Sequence, residues 1–331
     1  MSNFAATMKK EDLRIVFMGT PEFAVGSLKA LVEGGYNVVG VVTQPDRPVG
    51  RHGSVLQPPA VKQYALEMGL PVLQPEKMKD ENFIAELRAL KADLQVVVAF
   101  RMLPEIVWAM PQFGTFNVHA SLLPQYRGAA PINWAIINGE TATGVTTFFL
   151  DHEIDTGRII MQKTFDIPDD ANVEYVYDGL MKLGAETCLK TVDAIIGSEG
   201  KLNTTPQSEC CNVELKPAPK IFKETCRIDF TKTAKEVHDF VRGLSPIPGA
   251  WADYSPQRTT FNVESTEAAL PVKIYETRKT GITTEKHPGE IKIEKKQMFV
   301  ATADEWIEIL ILQMPGKKRM AASDYINGMK H

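Results

Sequence analysis

The chain is poor in cysteine. Its four, Cys188, Cys210, Cys211 and Cys226, form no CxxC pair and no paired metal spacing, and the adjacent pair does not readily bridge to itself. That excludes a disulfide scaffold and points to a reduced, cytoplasmic setting. No window approaches the ~20 apolar residues that a membrane helix needs. The opening MSNFAATMKKEDLRIVF has no hydrophobic signal core, so neither export nor membrane insertion is expected. No GxGxxG follows the first apolar run, which leaves dinucleotide binding little support. Internal repeats and low-complexity tracts are also missing.

What remains is an ordinary globular composition. The 331 residues are 44% hydrophobic and 24% charged, enough for two domains that each bury a core. The net charge of −4 conceals an asymmetry. Residues 1–200 carry 17 Lys and Arg against 24 Asp and Glu, a net of −7, while residues 201–331 carry 20 against 17, a net of +3. So modest an excess is compatible with a solvated surface or with a nucleic-acid partner.

Short β-branched runs at 14–18 (RIVFM) and 37–43 (NVVGVVT) flank a segment with helical spacing of Phe23, Leu28 and Leu31, which predicts a βαβ unit. In MGTPEF (18–23), Thr20 reads as the helix N-cap and Pro21 as its first residue. Helical stretches near 60–68 and 80–90 and strands at 93–100 and 114–119 continue the alternation. A helix at 130–138, strands at 143–150 and 158–167, and a long helix from 172 to about 196 complete it. The pattern predicts an α/β fold with a mostly parallel sheet covered on both faces. Residues 197–219, rich in Ser, Thr, Pro and Lys, read as an interdomain linker. Beyond it, one helix (233–244) and the strand-like pieces GAWADY, TTFNVES, PVKIYET, GEIKI, QMFVATA and WIEILILQM predict a smaller β-barrel of the oligonucleotide-binding type. The expected boundaries are 1–196, 197–219 and 220–331.

In a parallel α/β sheet, ligands gather at the carboxyl ends of the strands. There the stretch FNVHASLLPQYRGAAPINW (116–134) ends an apolar strand with an amide and an imidazole two residues apart, on one face. Asn117 can donate to a developing oxyanion, and His119 can donate or accept a proton. Either alone is an ordinary polar strand end; together they define a pocket. In LDHEIDTGRII (150–160), Asp151 and Glu153 read as solvated loop residues, whereas Asp155, before Thr156 and Gly157, can be held at a tight turn toward His119. A metal site of His119, His152 and Asp155 lacks a second His at the required spacing, so no metal is expected. The loop QPDRPVGRHG (44–53) exposes Arg47 and Arg51, which suit either a surface turn or a phosphate backbone.

NVHASLLPQYRGAAPI followed by LDHEIDTG is similar to the formyl-transfer core of the 10-formyltetrahydrofolate-dependent formyltransferases. MGTPEF, TQPDRPVGR and MPGKKRM (314–320) extend the resemblance over nearly the whole chain, toward the methionyl-tRNA branch. The resemblance implies a Rossmann-like formyltransferase domain with a catalytic trio of Asn117, His119 and Asp155. It implies a folate crevice lined by Phe100, Arg101, Met102, Leu103, Ser121, Leu122, Leu123, Pro124 and Asp151. It also implies tRNA contacts at Arg47, Arg51, Lys317, Lys318 and Arg319. The expected reaction is transfer of a formyl group from 10-formyltetrahydrofolate to initiator Met-tRNA at the start of translation, by a monomer. An amino-sugar nucleotide formyltransferase, a folate-binding hydrolase and a non-catalytic RNA-binding protein are the competing readings. The chain departs from the usual pattern at GRHGSVLQPP, which lacks a Lys pair, and at AFRMLP (99–104), where many members read AYG.

Overall fold

The computed structural model describes residues 8–49, 55–210, 213–256, 259–261 and 269–328. Arg51 and Cys211 lie outside the described residues, as do the last four positions of TTFNVES. Two compact units emerge. The first comprises Met1–Gly128, Thr143–Phe165 and Tyr177–Pro217, the second Ala129–Ala142, Asp166–Val176 and Ala218–His331.

The first unit is built on β1 (Ile15–Gly19), α1 (Glu22–Glu33), β2 (Val38–Val42), β3 (Arg47–Val49), β4 (Val55–Gln57), α2 (Ala60–Glu67), β5 (Val72–Leu73) and α3 (Glu81–Ala89). It continues with β6 (Leu94–Val98), α4 (Glu105–Trp108), β7 (Thr115–His119), β8 (Ala142–Phe149), β9 (Ile159–Asp166) and α6 (Val173–Gly197). The sheet order is β5-β2-β1-β6-β7-β8-β9. All pairs from β5 to β7 are parallel, and β7–β8 is antiparallel. Every residue of β1 and β6 is buried, as expected for central strands covered on both faces. From β1 the chain runs outward to β5 and returns to β6 on the other side of β1, so the strand order reverses between β1 and β6. The crevice outside the carboxyl ends at such a reversal is where this architecture takes ligands.

Two local expectations are corrected. Pro21, extended at φ −80° and ψ 174°, occupies the cap position of α1; among the described residues no side chain caps that end, and the Thr20 hydroxyl is buried without a hydrogen-bond partner. The 44–53 segment, read as a loop, contributes β3 to a two-stranded antiparallel hairpin in which Arg47 opposes Gln57.

The second unit contains α5 (Pro131–Ile137), α7 (Ala234–Leu244), β10 (Ala250–Ser255), β11 (Thr260–Phe261), β12 (Leu270–Thr283), β13 (Ile291–Glu294), β14 (Gln297–Ala301), β15 (Glu305–Gln313), β16 (Met320–Ala321) and α8 (Ala322–Gly328). Its sheet runs β11-β10-β12-β15-β14-β13. The two ends meet, because Phe261 N–H donates to Gly289 O at 2.8 Å and Ile291 N–H to Thr259 O at 3.2 Å, leaving a nearly closed barrel. Phe230, Val241, Ile274, Val300 and Ile307 are among the residues filling its core. α7 opens with a full capping box: the Thr233 hydroxyl accepts from Glu236 N–H and the Glu236 side chain accepts from Thr233 N–H. Thr233→Ala removes one side of it and is expected to lower stability by about 1 kcal/mol, read as a shift in denaturation midpoint with an unchanged m-value.

Candidate active site

Asn117 and His119 end β7 on one face of the sheet. Across the antiparallel ladder Asn117 opposes Phe148 and His119 opposes Thr146. The Phe148 ring meets the imidazole edge-on, with centroids 6.4 Å apart. Leu123, Phe148 and Ile159, with Leu150 packed on them, supply an apolar cluster here. His119 is buried, and its Nε2 lies 2.9 Å from the Tyr126 carbonyl oxygen. A carbonyl only accepts, so Nε2 carries the hydrogen, and Nδ1 is the nitrogen left to exchange a proton. Asn117 is half-buried, and its amide has no hydrogen-bond partner among the described residues.

The chain after β7 is a turn held from within. Ser121 Oγ donates to Gln125 O at 2.7 Å, and Thr146 Oγ1 donates to Ser121 O at 2.7 Å while accepting from Leu123 N–H at 3.0 Å. Gln162 Nε2 adds a donor to Leu123 O at 2.8 Å. Tyr126 and Gly128 both take positive φ, 59° and 125°. These contacts aim the Tyr126 carbonyl at the imidazole and leave the Gly128 N–H pointing at the acid loop. That N–H donates to Asp155 Oδ2 at 3.0 Å.

His119 and Asp155 are therefore brought together through the Tyr126–Gly128 turn. No hydrogen bond joins them directly among the described residues, and the group orienting the imidazole is a backbone carbonyl rather than the Asp155 carboxylate expected from sequence. Asp155 sits in the left-handed region at φ 56°, uncommon for a residue with a side chain. Its loop is braced from inside: Asp151 Oδ1 accepts from Glu153 N–H at 3.0 Å and from Thr156 Oγ1 at 2.9 Å. Gly157 has no room for a side chain, since a Cβ there would lie 1.7 Å from Phe149 O.

The remaining residues expected at a folate crevice divide by burial. Phe100 and Leu103 join the apolar cluster of Val97, Val107 and Leu150 at the carboxyl end of β6. Met102 is 71% exposed. The Arg101 guanidinium is turned back on the chain, donating to Glu76 O at 2.8 Å and to Pro75 O, with burial lowering its pKa. Leu122 packs against Gly144, and Leu123 is buried; Ser121, Leu123 and Asp151 shape the turn and loop through the bonds already given. Pro124 follows Leu123 in the same turn, across a cis peptide bond. His152 is exposed, with Nδ1 3.8 Å from Glu105 Oε2 and its ring edge-on to Trp108. Among the described residues no group of three or more His, Cys, Asp or Glu is placed to hold a metal ion.

Arg47 is exposed at the base of the β3–β4 hairpin, donating to Gln44 Oε1. Its neighbour Asp46 is tied by Gln74 Nε2 at 2.8 Å and Lys62 Nζ at 2.8 Å, and those hydrogen bonds, Gln74's first, hold its carboxyl below the ordinary range. The residue before β3 is thus anchored to α2 and to Gln74. In the second unit, Lys317, Lys318 and Arg319 lie exposed between β15 and β16, with the Arg319 guanidinium 3.6 Å from the Tyr275 ring centroid.

One residue at this site had no signal in the sequence. Gln207, inside the segment read as linker, is 4% exposed; its Nε2 donates to the carbonyls of Asp155 and Gly157.

The description "Formyl transferase" matches residues 13–192, and "Formyl transferase, C-terminal domain" matches residues 220–330. The chain is 59% identical over 326 residues to the methionyl-tRNA formyltransferase of Parabacteroides distasonis, covering 98% of each chain. It is 60% identical to that of Phocaeicola vulgatus, again with 98% of each covered. Among solved structures, an N-formyltransferase from Helicobacter canadensis, in complex with folinic acid and dTDP-3-aminofucose, superposes with a TM-score of 0.59 at 19% identity. The match covers 91% of this chain and 99% of that one, and shows the shared fold. The residues flanking β7, the two-unit organisation and relatives alike over nearly the full chain converge: the chain belongs to the methionyl-tRNA formyltransferase family.

Proposed function

We infer that the protein transfers the formyl group of 10-formyltetrahydrofolate to the α-amino group of methionine on initiator Met-tRNA, leaving tetrahydrofolate. The observation that carries this reading is the Asn117–His119 pair on one strand face, with Asp155 bonded to the same turn as His119. The neighbouring residues suit a folate: apolar Phe100, Leu103 and Leu150 lie together in one cluster, and the Asn117 amide has no hydrogen-bond partner among the described residues.

The amine nitrogen attacks the formyl carbon, the carbonyl oxygen gains negative charge, and the bond to the folate nitrogen then breaks. Asn117 donates to the developing oxyanion from within a strand paired on both sides, with little reorganisation. His119 holds a hydrogen on Nε2 and exchanges one at Nδ1. The amine must lose a proton and the folate nitrogen must gain one. Asp155, held through Oδ2 with Oδ1 free of partners among the described residues, serves as the relay with His119 or through a water. No covalent intermediate on the protein is needed.

Arg47 on the hairpin and the basic turn at Lys317–Arg319 suit the phosphates of the tRNA. Arg47→Ala is expected to weaken Met-tRNA binding and to reduce the slope of log K against log salt by about 1. An unchanged slope overturns that assignment. A cytoplasmic monomer completes the proposal.

The deciding experiment supplies 10-formyltetrahydrofolate with charged initiator or elongator Met-tRNA and follows formyl-methionine. Formylation of the initiator supports the reading. Uptake of formyl by an amino-sugar nucleotide instead, or release of formate without an acceptor, overturns it.

A further inference from the structure

The structure assigns Gln207 as a positioning residue for formyl transfer: a buried amide outside the β-sheet that sets the backbone of the Asp155 loop against the turn that orients His119. All four hydrogen-bonding positions of the amide are used. Nε2 donates to Asp155 O at 2.8 Å and to Gly157 O at 2.9 Å. Oε1 accepts from Arg127 Nε at 3.0 Å and from Arg127 Nη2 at 2.6 Å. The amide orientation follows, because the carbonyls can only accept and the guanidinium can only donate.

These contacts close a ring. Arg127 is bonded to Gln207, Gln207 to the Asp155 backbone, and the Asp155 side chain to Gly128, the residue after Arg127. The preceding residue, Tyr126, offers its carbonyl to His119. A shift of Gln207 therefore reaches both proton-handling side chains.

The segment bearing Gln207 is itself fastened on both sides. Thr205 pairs with Ile159 through two backbone hydrogen bonds of 2.8 and 2.9 Å. Further on, Gln125 Nε2 donates to Glu214 O at 3.0 Å, Lys216 N–H to Gln125 Oε1 at 2.9 Å, and Tyr126 N–H to Lys216 O at 2.8 Å. Residues 205–207 and 214–216 thus brace the turn from two sides.

The proposal rests on the reading of Asp155 and His119 as the proton-handling pair. Its test compares Gln207→Glu, which keeps acceptors for Arg127 but loses the donors to Asp155 and Gly157, with Gln207→Leu, which loses both sets, and Gln207→Asn, one methylene short. Steady-state formylation of initiator Met-tRNA is measured well below each variant's melting temperature, with Asp155→Ala alongside. The expected result is a fall in kcat of about 10- to 100-fold in all three Gln207 variants, as small misplacements of reacting groups produce. KM for the folate and for Met-tRNA stays within about threefold, since the buried Gln207 amide spends all four of its hydrogen-bonding positions on Arg127, Asp155 and Gly157.

Variants that keep kcat within about threefold overturn the proposal, as do losses that follow the unfolded fraction or fall on KM. Near-normal turnover in Asp155→Ala overturns the catalytic reading instead, whatever the Gln207 variants do.

Discussion

Replacing Asn117 or His119 by alanine is expected to cut single-turnover formyl transfer by about a hundredfold or more, with folate and Met-tRNA affinities little changed. Asn117 is the middle residue of β7, bonded in register to β6 on one side and β8 on the other, so the backbone that carries its amide is held by the sheet. A donor placed in advance stabilises the oxyanion without reorganising, and its removal affects the transition state more than the bound ground state. His119 differs in kind. Its Nε2 hydrogen is committed to the Tyr126 carbonyl, which fixes the ring and leaves Nδ1 to move the proton. His119→Gln, which offers no titrating nitrogen, should therefore lose as much as His119→Ala. Single-turnover rates near those of the unaltered protein in both alanine variants would refute the assignment.

Gly157→Ala should be comparably severe although it adds one methyl group to a residue with no side-chain chemistry. The added Cβ would lie 1.7 Å from the Phe149 carbonyl oxygen and 2.9 Å from its carbonyl carbon, both backbone atoms that no rotamer change can clear. The 151–157 loop or the end of β8 must move. Gly157 O is also one of the two carbonyls clamped by Gln207, so the displacement passes to Asp155. A shift of about 1 Å in a reacting group costs on the order of a hundredfold in rate, and the strain of overpacking adds about 1–3 kcal/mol of instability. Formylation assays and thermal melting on the same preparation test both effects. Gly197→Ala, at the end of α6 with nothing within 4 Å of its Cβ, is the control and should leave activity unchanged without lowering the melting temperature. If the two substitutions behave alike, the close approach at Gly157 has no catalytic consequence.

Much of this was legible in the residues because it rests on local pattern. β1 and β6 show as mainly apolar runs, broken in β6 only by Gln95, since both faces of a central parallel strand are buried. The Asn117 and His119 pair declared a shared face through the two-residue period of a strand, which needs no tertiary information. The hairpin was hidden because three-residue strands leave little periodicity, and among the described residues β3 and β4 pair only with each other. The start of α1 moved by one residue because Pro21 is equally at home in an extended cap and in a first helical turn.

Gln207 was invisible for a different reason. A single amide in a stretch rich in Ser, Thr and Pro has no spacing to betray it, and its four partners come from Arg127, Asp155 and Gly157, some 50 to 80 positions away. The sequence alone determined the α/β class and the β-barrel that follows it, since each depends on the chemistry and period of neighbouring residues; strand period paired Asn117 with His119, and the family resemblance joined Asp155 to them as a candidate trio. The fold decided how the trio is oriented: a Tyr126 carbonyl for His119, a Gly128 N–H and a buried amide for Asp155. Hydrogen bonds to backbone groups are open to every residue type on the accepting or donating side, so no side-chain pattern records which ones a turn will present.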